Sequence, residues 1–78
     1  MSKVLGRVKK LVAKKLFTDE SKLNVKASFT ELGASSLEIT DLLIGIEDEF
    51  GIKIPDHDTD RLTSISGVAK YVQKRLAA

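Results

Sequence analysis

Apolar residues recur at spacings of three and four in three segments of the chain, and this periodicity restricts the fold more than any other feature. Such spacing places residues along one side of an α-helix, whereas strand-like alternation does not persist beyond the Ile-Lys-Ile segment at 52–54. The three stripes are Val4, Leu5, Val8, Leu11, Val12 and Leu16; Ile39, Leu42, Leu43, Ile46 and Phe50; and Ile65, Val68, Ala69, Val72 and Leu76. They predict helices over roughly 3–16, over 36–50 and after a cap at Thr63 or Ser64, with a minor helical turn at about 57–62. The expected fold is a small all-α bundle of three to four helices.

A long first loop separates the first two helices. Residues 17–35 show no sustained periodicity, but four apolar residues can pin the segment to the core, namely Leu23, Val25, Phe29 and Leu32. A loop of this length inside a compact domain is usually functional or needs an anchor of its own. The 78 residues are expected to form one domain over 1–78, with little volume left for an enclosed active site.

Charge is strongly segregated along the chain, although the net charge is only +2. Residues 1–27 hold 8 Lys/Arg and 2 acids, residues 28–60 hold 9 acids and one lysine, and residues 61–78 hold 4 Lys/Arg and no acid. The basic residues of the first helix form either a solvated face or a docking surface. A nucleic-acid-binding bundle is disfavoured, because the acids are concentrated and aromatic residues are few.

Several other classes of protein are excluded by composition. The chain has no cysteine, so it forms no disulfide or zinc–thiolate site and has no thiol of its own. No apolar run approaches the roughly 18 residues of a membrane span. Lysines interrupt the N-terminal segment throughout, unlike a secretory signal, so a cytoplasmic location is expected.

The acidic run from Asp56 to Asp60 resembles the start of a calcium loop, with acids at its first, third and fifth positions. The loop is not completed, because Arg61 stands where glycine is required and Gly67 where glutamate is required. A solvated acidic turn is the favoured interpretation. His57 is the chain's one histidine, so a metal site or a nucleophile–base pair has no second member, and no metal or catalytic residue is expected.

Two adjacent serines stand where the second helix should begin. Ser35 and Glu38 fit a capping box, in which the Ser35 hydroxyl accepts from the Glu38 amide and the Glu38 carboxylate accepts from the Ser35 amide. Ser36 is then left on the first turn without a structural task. A phosphate group attached there would lie beside unpaired amides and the positive end of the helix dipole. The alternative is that both serines merely start the helix.

The second helix also has a face that does not belong to its core stripe. This face combines two large aliphatic residues with polar and acidic ones, at spacings of three and four: Leu37, Thr40, Asp41, Ile44, Glu47 and Asp48. A solvated face rarely needs two large aliphatic residues, whereas a transient docking surface uses apolar anchors surrounded by charge. The context of Ser36 therefore favours a functional role.

The segment from Leu32 to Asp56 resembles the signature region of the acyl carrier proteins, and a weaker likeness extends over the whole chain. In that family the serine of an Asp-Ser-Leu motif carries covalent 4′-phosphopantetheine, derived from coenzyme A, and here the matching residues are Ser36 and Leu37. The resemblance implies that Asp41, Ile44, Glu47 and Asp48 form a partner-recognition helix, which Asp56 and the acids that follow it would extend. Leu37 and Thr40 lie on the same face and are included in the predicted partner-binding surface. The resemblance also implies an acyl-chain cleft lined by Ile46, Ile54, Leu62, Ile65 and Ala69.

The resemblance implies a carrier that is not an enzyme. It would hold acyl intermediates as thioesters for fatty-acid, specialised-lipid or secondary-metabolite synthesis. Its partners would be a phosphopantetheinyl transferase and the enzymes that load and transfer acyl groups, and a monomer is expected.

Two features depart from the family's pattern. Ser35 replaces the usual aspartate before the attachment serine, and the chain is basic at both ends, which favours a specialised carrier over a central one. The alternative is a helical interaction module of the same fold that lacks the prosthetic group, and Ser35 is the feature in its favour.

Overall fold

The computed structural model describes residues 2–77, except for the side chain of Ser2. It contains a 3₁₀ turn at Glu20–Lys22 and the helices α1 (Ser2–Lys15), α2 (Ser36–Phe50), α3 (Asp56–Thr59) and α4 (Ile65–Ala77). Helix α1 packs against both α2 and α4. The predicted all-α bundle with a long first loop is confirmed. No helix of this described part has the length and apolar composition needed to cross a membrane.

The core is formed by the apolar stripes of the three long helices together with anchors from the connections. Its most completely enclosed large side chains are Val8, Val12, Phe29, Leu42, Ile46, Ile65, Val68 and Val72. The predicted stripe of α4 is wrong at its end, because Leu76 is 49% exposed. The apolar pattern continues one turn beyond Val72, the last buried residue of the helix, and that turn is not covered by the core.

Two predicted boundaries shift by small amounts. Helix α1 ends at Lys15, and Leu16 lies half-buried in the turn that follows. The minor helix occupies Asp56–Thr59 rather than 57–62, since Pro55 precedes it with an extended ψ of 148°. The chain leaves the helix before Leu62, which is buried in the core.

The long first loop is fixed to the start of α4 by backbone hydrogen bonds. The Phe29 amide donates to the Thr63 carbonyl at 2.7 Å, and the Ser66 amide donates to the Val25 carbonyl at 2.9 Å. Phe29 and Leu23 are buried, which confirms them as anchors. The loop is therefore part of the packed structure, although the short 3₁₀ turn within it was not predicted.

Hydrogen bonds of side chains with nearby backbone amides stabilise both the first loop and the start of α4. The Glu31 carboxylate accepts from the Ser28 amide at 2.8 Å, and the Ser28 hydroxyl accepts from the Glu31 amide at 3.1 Å. The hydrogen bond from the Ser28 amide is the main cause that holds the pKa of Glu31 below its usual value. Of the two candidate caps for α4, Ser64 fills the position, because its hydroxyl accepts from the Gly67 amide at 3.1 Å.

Candidate functional site

Ser35 begins α2 as the sequence predicts. Its hydroxyl accepts from the Glu38 amide at 3.2 Å, and its own amide donates to Glu38 Oε1 at 2.9 Å. The helix ends at Gly51, whose φ of 64° is the left-handed conformation that glycine adopts without a Cβ clash. The capping box and the glycine stop together fix α2 over the predicted 36–50.

Ser36 is exposed on the first turn of α2, and its hydroxyl makes no hydrogen bond within residues 2–77. The Ser36 and Leu37 amides also have no acceptor in this described range. Two open N–H groups and the positive end of a 15-residue helix therefore lie beside a free hydroxyl. This arrangement fits a covalently attached phosphodiester, whose negative charge the open amides and the dipole would stabilise.

The outer face of α2 exposes large apolar side chains next to this hydroxyl. Leu37 is 80% exposed and Ile44 is 55% exposed, whereas Leu42 and Leu43 on the opposite side are buried. Thr40 is exposed on the same face, and its hydroxyl donates to the Ser36 carbonyl at 3.1 Å. The predicted face is therefore uncovered at Leu37, Thr40 and Ile44.

The acids of this face differ in how far they are committed within the molecule. Asp41 forms an ion pair with Lys15 of α1 at 3.1 Å, but its side chain remains 62% exposed. Glu47 is half-buried, and its Oε2 accepts from the Ile54 amide at 2.7 Å. Asp48 is exposed and makes no salt bridge with the described residues. Glu47 therefore has a structural task that the sequence did not reveal.

A groove of about 470 Å³ runs along α2 from Ser36 toward α3. Its lining combines an apolar floor with a polar and acidic rim: Ser36, Ile39, Thr40, Leu43, Ile44, Glu47, Ile54, Asp56, Thr59 and Asp60. The structure thus brings together Ser36, four of the seven residues predicted to bind partners and one of the five predicted to line an acyl cleft. The four are Thr40, Ile44, Glu47 and Asp56, and the one is Ile54. Thr59 and Asp60 also border it, and Thr59 was not predicted, because its position depends on the end of α3.

The residues predicted to line an acyl cleft are all buried, but they do not form one open surface. Ile54 borders the groove beside Ser36, and Leu62 borders a second groove of about 240 Å³. Ile46, Ile65 and Ala69 are fully enclosed in the core. Thr59 and Asp60 lie at both grooves, which places α3 and its end between them.

Helix α3 is held to α4 by one polar contact that the sequence did not predict. The Tyr71 hydroxyl donates to Asp58 Oδ2 at 2.8 Å and accepts from Arg75 Nη1 at 2.9 Å. Desolvation, with the neighbouring Asp58 carboxylate, raises the pKa of Tyr71 above its usual value. Because α3 has no buried residue of its own, this contact is a main constraint on its position.

His57 does not join a polar cluster suited to chemistry. Its side chain is exposed, and its Nε2 lies 3.6 Å from Asp58 Oδ1. Among residues 2–77, no group of three or more His, Cys, Asp or Glu side chains is arranged to hold a metal ion.

Comparison with known protein families gives a match that covers most of the chain. A family model described as "Phosphopantetheine attachment site" matches residues 6–72. The matched range contains Ser36, the whole of α2 and α3, and α4 as far as its last buried residue, Val72.

Proposed function

Because this chain belongs to the phosphopantetheine attachment family and so bears a covalent 4′-phosphopantetheine group, we propose that it is an acyl carrier whose prosthetic arm is attached at Ser36. The observation that carries the assignment is the free, exposed Ser36 hydroxyl next to a Ser35 hydroxyl that is already engaged as the helix cap. A modified Ser35 would lose its capping bond, whereas a modified Ser36 loses no contact with the described chain.

The arm supplies the thiol on which acyl groups would be held as thioesters, since the chain itself has no cysteine. The chain's own residues position the arm and present it to enzymes. Acyl intermediates of fatty-acid, specialised-lipid or secondary-metabolite synthesis are the proposed cargo. The members of the predicted acyl cleft are kept in this proposal, with Ile54 as the member that borders the groove.

Proteins of this kind are typically not catalysts, and we assign the chemistry to its partners. These are a phosphopantetheinyl transferase and the enzymes that load and receive acyl groups. The proposed docking surface is the uncovered face of α2 and its continuation at α3: Leu37, Thr40, Asp41, Ile44, Glu47, Asp48 and Asp56. One apolar core joins residues from Val4 to Val72, which supports a single domain over 1–78.

The attachment site is tested by modification in vitro. Incubation with coenzyme A and a broad-specificity phosphopantetheinyl transferase should raise the intact mass of the chain by one phosphopantetheine. Ser36→Ala should abolish the increase. Ser35→Ala should keep it, although loss of the cap costs about 1 kcal/mol of stability. The opposite pattern would move the attachment to Ser35.

The alternative, an interaction module without the prosthetic group, is tested by the intact mass of the protein isolated from its native host. The carrier proposal expects the mass of the modified form, with Ser36 as the modified residue in peptide fragments. An unmodified mass in cells that contain an active transferase would favour the interaction module.

A further inference from the structure

Phe17 is the second residue after the end of α1 and has a backbone conformation that its side chain disfavours. Its φ of 55° is the one positive value among the non-glycine residues of the described chain. The Thr18 amide donates to the Ala13 carbonyl at 2.9 Å, and the Phe17 amide points to the Lys14 carbonyl at 3.4 Å. These are the two bonds of a Schellman helix stop, in which glycine usually takes the position of Phe17.

The phenyl ring gains no packing in return. Phe17 is 94% exposed, the largest exposure among the large hydrophobic residues described. Glycine would complete the same turn without the steric strain of a Cβ. A residue that strains the backbone and buries nothing is not explained by the fold, and such outliers are a reason to look for function.

A row of basic residues leads along α1 to this ring. Lys3, Arg7, Lys10 and Lys14 follow the spacing of one helix face, and all four are exposed. The row spans about 16 Å at the rise of an α-helix, and α1 contains no acid. We call these four residues and Phe17 the basic stripe.

Most of this charge is not neutralised by the described part of the molecule. Arg7 pairs with Glu49 at 2.8 Å and lies over the Phe50 ring. Lys3, Lys10 and Lys14 have no salt bridge within residues 2–77. The stripe therefore presents positive charge to a partner outside the molecule.

The stripe ends near the attachment site. Arg7 contacts Glu49 and Lys15 contacts Asp41, so α1 and α2 run antiparallel. Phe17 borders a surface groove between α1 and α2 whose acidic residues are Glu38, Asp41, Asp48 and Glu49, and Glu38 among them lies where α2 begins. A surface bound by the stripe would lie close to the end of the molecule that carries Ser36.

We propose that the basic stripe is a peripheral docking surface for an anionic lipid bilayer. A straight row of basic residues on a convex helix can contact a flat charged surface along its whole length, and clustered lysines gain affinity from anionic headgroups. An exposed aromatic ring at the end of the row can enter the headgroup region without a preformed pocket. Acidic protein partners fit less well, because an aromatic anchor in a protein interface requires a matching pocket. The contact is reversible, and it depends on α1 rather than on the face of α2.

The test is co-sedimentation of the purified, phosphopantetheine-bearing protein with lipid vesicles. Vesicles of equal parts phosphatidylcholine and phosphatidylglycerol should bind the protein, and vesicles of phosphatidylcholine alone should not. Replacing Lys3, Lys10 and Lys14 by glutamine should lower the partition coefficient about 100-fold, since each lysine near an anionic surface contributes about fivefold. Phe17→Gly should lower the partition coefficient about tenfold, because the variant lacks the ring that would be buried in the headgroup region of the bilayer.

The matched control replaces Lys53, Lys70 and Lys74, three exposed lysines outside the stripe, by glutamine. It changes net charge by the same amount and should leave binding nearly unchanged. The chain has no tryptophan, so Phe17→Trp adds a reporter whose emission should shift to the blue on mixed vesicles. Equal loss in the two triple variants would overturn the proposal, as would binding to soluble polyglutamate without binding to vesicles, which would indicate an acidic protein partner.

Discussion

The acidic face of α2 and the basic stripe of α1 differ in how far their charges are paired within the molecule. On α2, Asp41 is paired with Lys15 and Glu47 holds the Ile54 amide, so much of its charge is engaged within the molecule. On α1, Arg7 is the one member of the stripe with a salt bridge to a described residue. The number of charges along a helix therefore does not measure how much charge it offers to a partner. On α2 the most available groups are Leu37, Ile44 and Asp48.

The largest effect should come from removing an apolar anchor of α2. Ile44→Arg should lower the rate of acyl transfer to a cognate enzyme about 30-fold or more, as expected when a central anchor is lost. The melting temperature and helical circular dichroism should stay nearly unchanged, because the Ile44 side chain is already 55% exposed. Unfolding of the variant would instead place Ile44 in the core. Lys53→Gln, on an exposed connection, serves as the control with unchanged transfer.

An intermediate effect should separate the engaged acid from the free one. Glu47→Ala removes the acceptor of the Ile54 amide and should lower the free energy of unfolding by about 1.5 kcal/mol. Asp48→Ala is the matched control on the next residue of the same helix and should change stability by less than about 0.5 kcal/mol. Urea denaturation of both variants measures the difference. Equal stabilities would mean that the Glu47 contact contributes little in solution.

The position of α2 could be predicted from the sequence because the apolar spacing, the capping box and Gly51 all indicate the same start and end for this helix. Prediction was weaker wherever position depended on contacts between distant segments. The bond from Tyr71 to Asp58 joins residues 13 apart, and neither side chain marks the other in the sequence. The role of Glu47 was missed for the same reason, since its partner is a backbone amide in the next connection.

In the candidate site too, features set by a single helix could be predicted, whereas features set by contacts between segments could not. Ser36 and the exposed face of α2 follow from one helix and could be located from its pattern. The groove beside Ser36 depends on where α3 begins and ends. The predicted minor turn at about 57–62 does not coincide with the observed α3, so the groove could not be located from the sequence. Phe17 gave no signal, because an aromatic residue after an apolar stripe is usually expected to be buried. Its exposure follows from the left-handed turn, which periodicity does not report.

The smallest effect concerns the left-handed turn at Phe17, the last residue of the basic stripe. It tests whether this end of the stripe, unlike the face of α2, lowers the stability of the fold. Phe17→Gly should raise the free energy of unfolding by about 1 kcal/mol, because glycine adopts a positive φ without a Cβ clash and Phe17 loses no packing. Phe17→Ala keeps the Cβ and should give little or none of this gain. Chemical denaturation of the three proteins measures both changes. A variant less stable than the parent by a similar amount would mean that the phenyl ring packs on the bundle in solution. A gain in stability together with lost vesicle binding would instead identify Phe17 as a residue that lowers the stability of the fold and serves contact with another surface.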